Sequence, residues 1–144
     1  NNNEKLGFLG DRVIGLAISK KLIALYPNEN EGNIDKKFSN LVNKKTCADV
    51  AKRLNLKKFI KTGKSIDKPI NINDKILSDC CEALIGALYL DQGFVSSEKF
   101  IMKNWDYYIK KSNITLIDPK TKLQEHSLKK YKRLPSYKTS KQID

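Results

Sequence analysis

Apolar residues recur every three or four positions through Lys111, and no strand-like alternation interrupts them. Leu6, Leu9, Val13 and Leu16 mark one face of a first helix, expected from about Asn3 to Leu25. Pro27 and the run Asn28-Glu29-Asn30-Glu31-Gly32 stop it with turn chemistry. Asn33 is a plausible N-cap for a helix over Ile34 to Asn43. Thr46 with Asp49 gives a capping-box-like start to Cys47–Leu54, whose apolar face is Val50, Ala51 and Leu54. Leu56 to Ile60 reads as a short helix or turn, and Ser65 to Asp74, with Pro69, as a loop. Asn73 or Asp74 then caps a helix that runs to about Gln92 and stops at Gly93, with Ile76, Leu77, Leu84 and Ile85 as apolar positions. Val95 to Lys111 carries Phe100, Ile101, Trp105, Tyr108 and Ile109, an aromatic stripe that belongs to a core. The expected fold class over residues 1–111 is therefore all-α.

Glycines interrupt this pattern. Each costs a helix interior about 1 kcal/mol against alanine. Gly10, Gly15 and Gly86 are bearable where another helix packs close. Gly7 has no such obvious reason. Past Lys111 the pattern changes. Residues 112–118 read as a linker, and 119–144 as a short helix followed by a strand at Leu134–Thr139, an α-β fragment.

Composition narrows the partner. The 144 residues include 28 Lys+Arg against 16 Asp+Glu, a net charge of +12 with a pI near 9.6. Such a balance suits a polyanion bound through its phosphates, although lysine-rich surfaces also serve solubility alone. Basic residues lie in both parts of the chain; Lys61, Lys64 and Lys68 stand in the expected loop. No apolar run approaches the roughly 20 residues of a membrane span, and no signal peptide is visible. The expectation is a cytoplasmic protein with no membrane partner. Cys47, Cys80 and Cys81 have no metal-ligand spacing and fit small buried residues in a reducing compartment.

The candidate chemistry is acidic. Glu4 and Asp11, seven apart, share a face of the first helix, and Asp79 and Glu82, three apart, share a face of the later one. Solvated acids on two amphipathic helices would give the same spacing. Converging, they would suit a hard divalent cation with oxygen ligands. With His126 the sole histidine, no Ser-His-Asp order and no phosphate-cradling glycine loop is present.

The wording around these acids carries more than their spacing. Asn3-Glu4-Lys5-Leu6-Gly7-Phe8-Leu9-Gly10-Asp11 resembles the signature of the ribonuclease III family. Ile76 to Gly93, with Leu77-Ser78-Asp79-Cys80-Cys81-Glu82-Ala83-Leu84-Ile85-Gly86 at its head, is similar to that family's second acidic motif, in the expected order and separation. Glu31-Gly32-Asn33-Ile34, Leu41-Val42-Asn43 and Thr46 resemble the stretch between. The resemblance implies a helical, dimer-forming endonuclease domain that cuts double-stranded RNA with Mg2+, or Mn2+ in its place. It implies short 3′ overhangs, 5′ phosphates and a part in RNA processing, ribosomal precursors included. By the same resemblance Asp11 and Glu82 match the catalytic pair, Asp11, Asp79 and Glu82 match metal ligands, and Glu4 is a supporting acid. Phe8 matches the aromatic that packs across the homodimer.

One position departs: where the family has a metal-ligand glutamate, this chain has Gly7. That keeps open an inactive or weakened relative that binds RNA without cutting it. A helical domain with an unrelated metal-binding role is the remaining alternative. Asp118 to Leu128 resembles the first helix of a double-stranded-RNA-binding domain, so Thr121, Gln124 and Glu125 match positions facing the RNA minor groove. Starting on Asn1 and stopping at Asp144, the chain is expected to lack the family's leading helices and most of that second domain.

Overall fold

The computed structural model describes residues 2–60 and 72–115. Four helices carry them: α1 (Asn2–Leu25), α2 (Glu31–Val42), α3 (Lys44–Arg53) and α4 (Asp74–Thr115). A short 3-10 turn, Leu56–Phe59, follows α3. No strand occurs among the described residues, as the helical spacing predicts. The chain divides into two compact units at Ser112–Asn113. The second is almost wholly outside the described residues, as are residues 116–118 of the expected linker, the expected tail helix with Thr121, Gln124 and Glu125, and the strand expected at Leu134–Thr139.

Two helix starts differ from the sequence expectation. Asn30, not Asn33, caps α2: its side chain accepts the Asn33 backbone N–H at 2.8 Å. Asn43 caps α3 in the same way, accepting from the Thr46 N–H at 2.8 Å. The residues expected to form a capping box are engaged elsewhere. The Thr46 hydroxyl donates to the Asn40 carbonyl at 2.7 Å, and Asp49 accepts the Tyr108 hydroxyl at 2.5 Å. At the start of α4 the cap is Asn73, which accepts from the Ile76 N–H at 3.0 Å.

The helices expected on either side of Gly93 are both present, joined at that glycine with no intervening loop. Its φ of 85° and ψ of −177° break the helical path, a conformation nearly confined to glycine. The Ser97 hydroxyl donates to the Gly93 carbonyl at 2.9 Å, within the first turn past the kink. Past Lys111 the helix runs on to Thr115, into the expected linker.

The core takes side chains from all four helices and from both arms of α4. Ile14, Ile18, Leu22, Leu41, Val50, Ile85, Ile101 and Trp105 are its largest fully buried apolar side chains. Trp105 also donates its indole N–H to the Leu41 carbonyl at 2.8 Å, tying α4 to the end of α2. Arg53 stacks over Tyr107, 4.0 Å from the ring centroid, beside the Tyr108–Asp49 bond. The stripe expected on α1 is displaced. Leu16 is 58% exposed, and the buried face is Gly10, Val13, Ile14, Ala17, Ile18 and Leu22.

Small residues win that face because α4 crosses there at backbone distance. A Cβ on Gly10 would fall 1.7 Å from the Glu82 carbonyl oxygen, and one on Gly86 2.1 Å from that of Leu6. Gly15 is different: it faces the Phe38 ring, not another backbone. This crossing puts the two acidic stretches side by side.

Candidate active site

An open cleft of about 970 Å³ runs along the crossing of α1 and α4. Glu4, Gly7, Phe8 and Asp11 line it from α1, and Lys75, Asp79 and Glu82 from α4. The four acids singled out by spacing thus share one cavity. Phe59 and Ile60, from the turn after α3, close part of its wall.

Glu82 is the half-buried acid of the set. Burial pushes its carboxyl up to about 8, reinforced by a hydrogen bond with the Asp11 side chain and by the charges of Asp11 and Asp79; Arg12 opposes them. Asp11 and Asp79 are more exposed, and each has a cation. The Arg12 guanidinium meets Asp11 at 2.8 Å, and the Lys75 ammonium meets Asp79 at 2.9 Å. Both pairs reach into solvent, where water and salt screen them. Arg12 also covers the Phe8 ring, 4.1 Å from its centroid, while Phe8 itself stays 62% exposed.

Beneath the acids lies Cys47, fully buried in α3. Burial, then the charges of Glu82 and Asp11, push its thiol up to about 12 against a hydrogen bond with Ser78. Cys81 is buried too and its thiol is also raised, first by burial. These thiols are packing groups behind the acids, as the sequence suggests.

Gly7 lines the cleft, and a Cβ there would lie 4.0 Å from the Asp79 carbonyl oxygen, an ordinary contact. A side chain at position 7 therefore has room. The crossing that demands glycine at 10 and 86 makes no such demand at 7.

Among the described residues, no group of three or more His, Cys, Asp or Glu is gathered tightly enough to hold a metal ion. Asp11 and Asp79 are turned toward Arg12 and Lys75 instead. The donor chemistry nevertheless fits a hard divalent cation: oxygen-only ligands, two of them on side chains that reach solvent. At Glu82, moreover, burial and the charges of Asp11 and Asp79 outweigh the opposing charge of Arg12. Arg12 and Lys75 are site residues that motif reading passed over. Lys75 stands four before Asp79, a spacing that pairs opposite charges on a helix. Phe59 and Ile60 left no sequence signal, because only the folding of the chain after α3 brings them to the cleft.

A family model for the Ribonuclease III domain matches residues 4–93. Among curated relatives, Ribonuclease 3 of Pelagibacter ubique is 58% identical over 138 residues, covering 96% of this chain and 62% of that protein. Ribonuclease 3 of Borreliella burgdorferi is 40% identical over 146 residues, covering 99% of this chain and 60% of that protein. The chain thus spans about three fifths of the length of these relatives. A solved nuclease domain of ribonuclease III from Campylobacter jejuni aligns with a TM-score of 0.65 at 33% identity, covering 73% of this chain and 74% of that one. That structure is described as flexible in a region involved in dimer formation.

Proposed function

The chain belongs to the ribonuclease III family, and from that premise we propose that it is the catalytic part of a metal-dependent endoribonuclease acting on double-stranded RNA. The observation that carries this reading is the convergence of Glu4, Asp11, Asp79 and Glu82 on one cleft, with the Glu82 carboxyl raised by burial and then by its acidic neighbours. Asp11, Asp79 and Glu82 would hold the cation, Mg2+ or Mn2+, through carboxylate oxygens. When bound, a divalent ion supplies an activated water and neutralises charge at the phosphorus. Hydrolysis joins the water oxygen to phosphorus and breaks the bond to the 3′ oxygen, leaving a 5′ phosphate and a 3′ hydroxyl. In the metal-free chain burial and the acids beside it raise the Glu82 carboxyl; a bound cation would offset both and keep it ionised, so that Glu82 would act as a charged ligand that positions the ion. Asp11 orients that carboxyl through their hydrogen bond, and Glu4 adds negative charge at the mouth of the cleft.

Phe8 supports a homodimer. It is a large exposed aromatic beside the acids, and a symmetric pairing through α1 would set two clefts on one duplex, one per strand. Two staggered cuts leave short 3′ overhangs. The charge of +12 suits shape- and phosphate-based duplex binding, with Thr121, Gln124 and Glu125 reading the minor groove from the tail. Processing of structured RNA in the cytoplasm, ribosomal precursors included, is the role we assign. No helix among the described residues is long and apolar enough to cross a membrane.

A second reading rests on Gly7: a relative that binds duplex RNA and cuts it slowly or not at all. Incubating the chain with long duplex RNA and duplex DNA, with Mg2+ or Mn2+, separates the two. The first reading requires metal-dependent cleavage of the RNA alone, with 5′ phosphates. Salt-sensitive RNA binding with no product at any metal concentration supports the second.

A further inference from the structure

We infer that Gly10 and Gly86 are positioning residues of the acidic site: they fix the spacing of Asp11 and Glu82 by letting α1 and α4 cross main chain to main chain. The inference rests on the reading of Asp11, Asp79 and Glu82 as the metal-holding set.

The contact is reciprocal. A Cβ on Gly10 would sit 1.7 Å from the Glu82 carbonyl oxygen and 2.9 Å from the Gly86 nitrogen. One on Gly86 would sit 2.1 Å from the Leu6 carbonyl oxygen and 3.1 Å from the Gly10 nitrogen. Helices that meet through side chains keep their axes about 8–10 Å apart and can adjust by changing rotamers. Here the atoms in contact are carbonyls and amides, which have no rotamers to change. The spacing at this point is therefore fixed by main-chain contact.

The acids stand at the crossing itself. Glu82 supplies the carbonyl that Gly10 touches, and Asp11 is the next residue after Gly10. Any separation of the helices passes to the two carboxylates with no lever arm between. Ordinary contact begins near 3.4 Å, so a methyl at Gly86 requires the Leu6 carbonyl to retreat by more than an ångström. Magnesium holds oxygen ligands at about 2.0–2.1 Å in near-octahedral array, which leaves little tolerance for such a shift. Gly15 supplies the contrast on the same helix. Its Cβ would meet only the Phe38 ring, at 3.6 Å, so alanine there strengthens α1 without touching the crossing.

The test uses Gly86→Ala, in the natural background and combined with Gly15→Ala to offset lost stability. Ile85→Val loosens the same helix from the core side, and Glu82→Gln removes a proposed ligand. Binding of Mn2+ by calorimetry and metal-free thermal unfolding are measured for each. Gly86→Ala is expected to bind Mn2+ at least about 10-fold more weakly, in both backgrounds, while Ile85→Val loses melting temperature and little affinity. Unchanged affinity in a folded Gly86→Ala would overturn the inference, as would an equal loss in Ile85→Val. Failure of Gly86→Ala to fold even with Gly15→Ala would also count against it, making the crossing a requirement of folding and not of acid spacing. Unchanged affinity in Glu82→Gln would instead bring down the metal-site reading, and this inference with it.

Discussion

At Glu82, burial and two acidic neighbours favour the neutral carboxyl, whereas holding a cation requires the charged one. Its folded value, about 8, lies above the ordinary 4.5. The folded chain therefore keeps a proton that the unfolded chain has released, and stability falls as pH rises through that window. Glu82→Gln should flatten this fall. At pH 8 without metal, the variant should be more stable by on the order of 1 kcal/mol, discounted for the half-exposed position. Thermal unfolding at pH 5 and pH 8 checks the sign, and a Glu82→Gln chain that is less stable at pH 8 contradicts it. The cysteines give a second check. Burial raises the thiols of Cys47 and Cys81 more than that of Cys80, which is only partly covered. A thiol reagent at pH 8 should modify Cys80 first and the other two only on unfolding, as peptide mapping would show.

At the scale of elements, helical spacing made the all-α fold legible, and the acidic motifs marked the two helices that cross. The caps were harder to read. Asn30 competes with Asn33 and Asn43 with Thr46, each pair three residues apart, so local rules allow either. At α2 a local contact engages the rival, since the Asn33 side chain donates to Glu29; at α3 a contact distant in sequence takes part, since Asp49 is taken by Tyr108 on α4. The α1 stripe misled for a related reason. Leu16 is the larger residue, but the close approach of α4 rewards Gly10 and Ala17. Asn30→Ala should cost about 1 kcal/mol through its lost cap bond, measured by denaturant unfolding, and an unchanged midpoint would deny that cap. Gly93→Ala should cost roughly 1–3 kcal/mol, because φ of 85° with ψ near 180° is strained for any Cβ. Open space around Gly93 means the loss comes from backbone strain and not from a clash.

At the scale of the whole molecule, a fixed helix crossing, an acidic cleft beside it and an exposed aromatic lining that cleft come together. If Phe8 seals a symmetric dimer, Phe8→Glu should shift the chain to monomer in sedimentation, and a variant that stays dimeric would exclude that surface. The departure at Gly7 bears on the central claim. Position 7 has room for a side chain, and water filling the place of a ligand brings no negative charge. The remaining acids should then bind metal weakly and demand high magnesium. Loss of even an outer-shell partner commonly costs about 10–100-fold in affinity or activity, and a missing ligand should cost at least as much. The most direct measurement is cleavage of long duplex RNA across a magnesium titration, for the natural chain and for Gly7→Glu. Gly7→Glu is expected to cleave faster, with a magnesium midpoint lower by about 10-fold or more. An unchanged rate together with an unchanged midpoint would contradict this reading of the site.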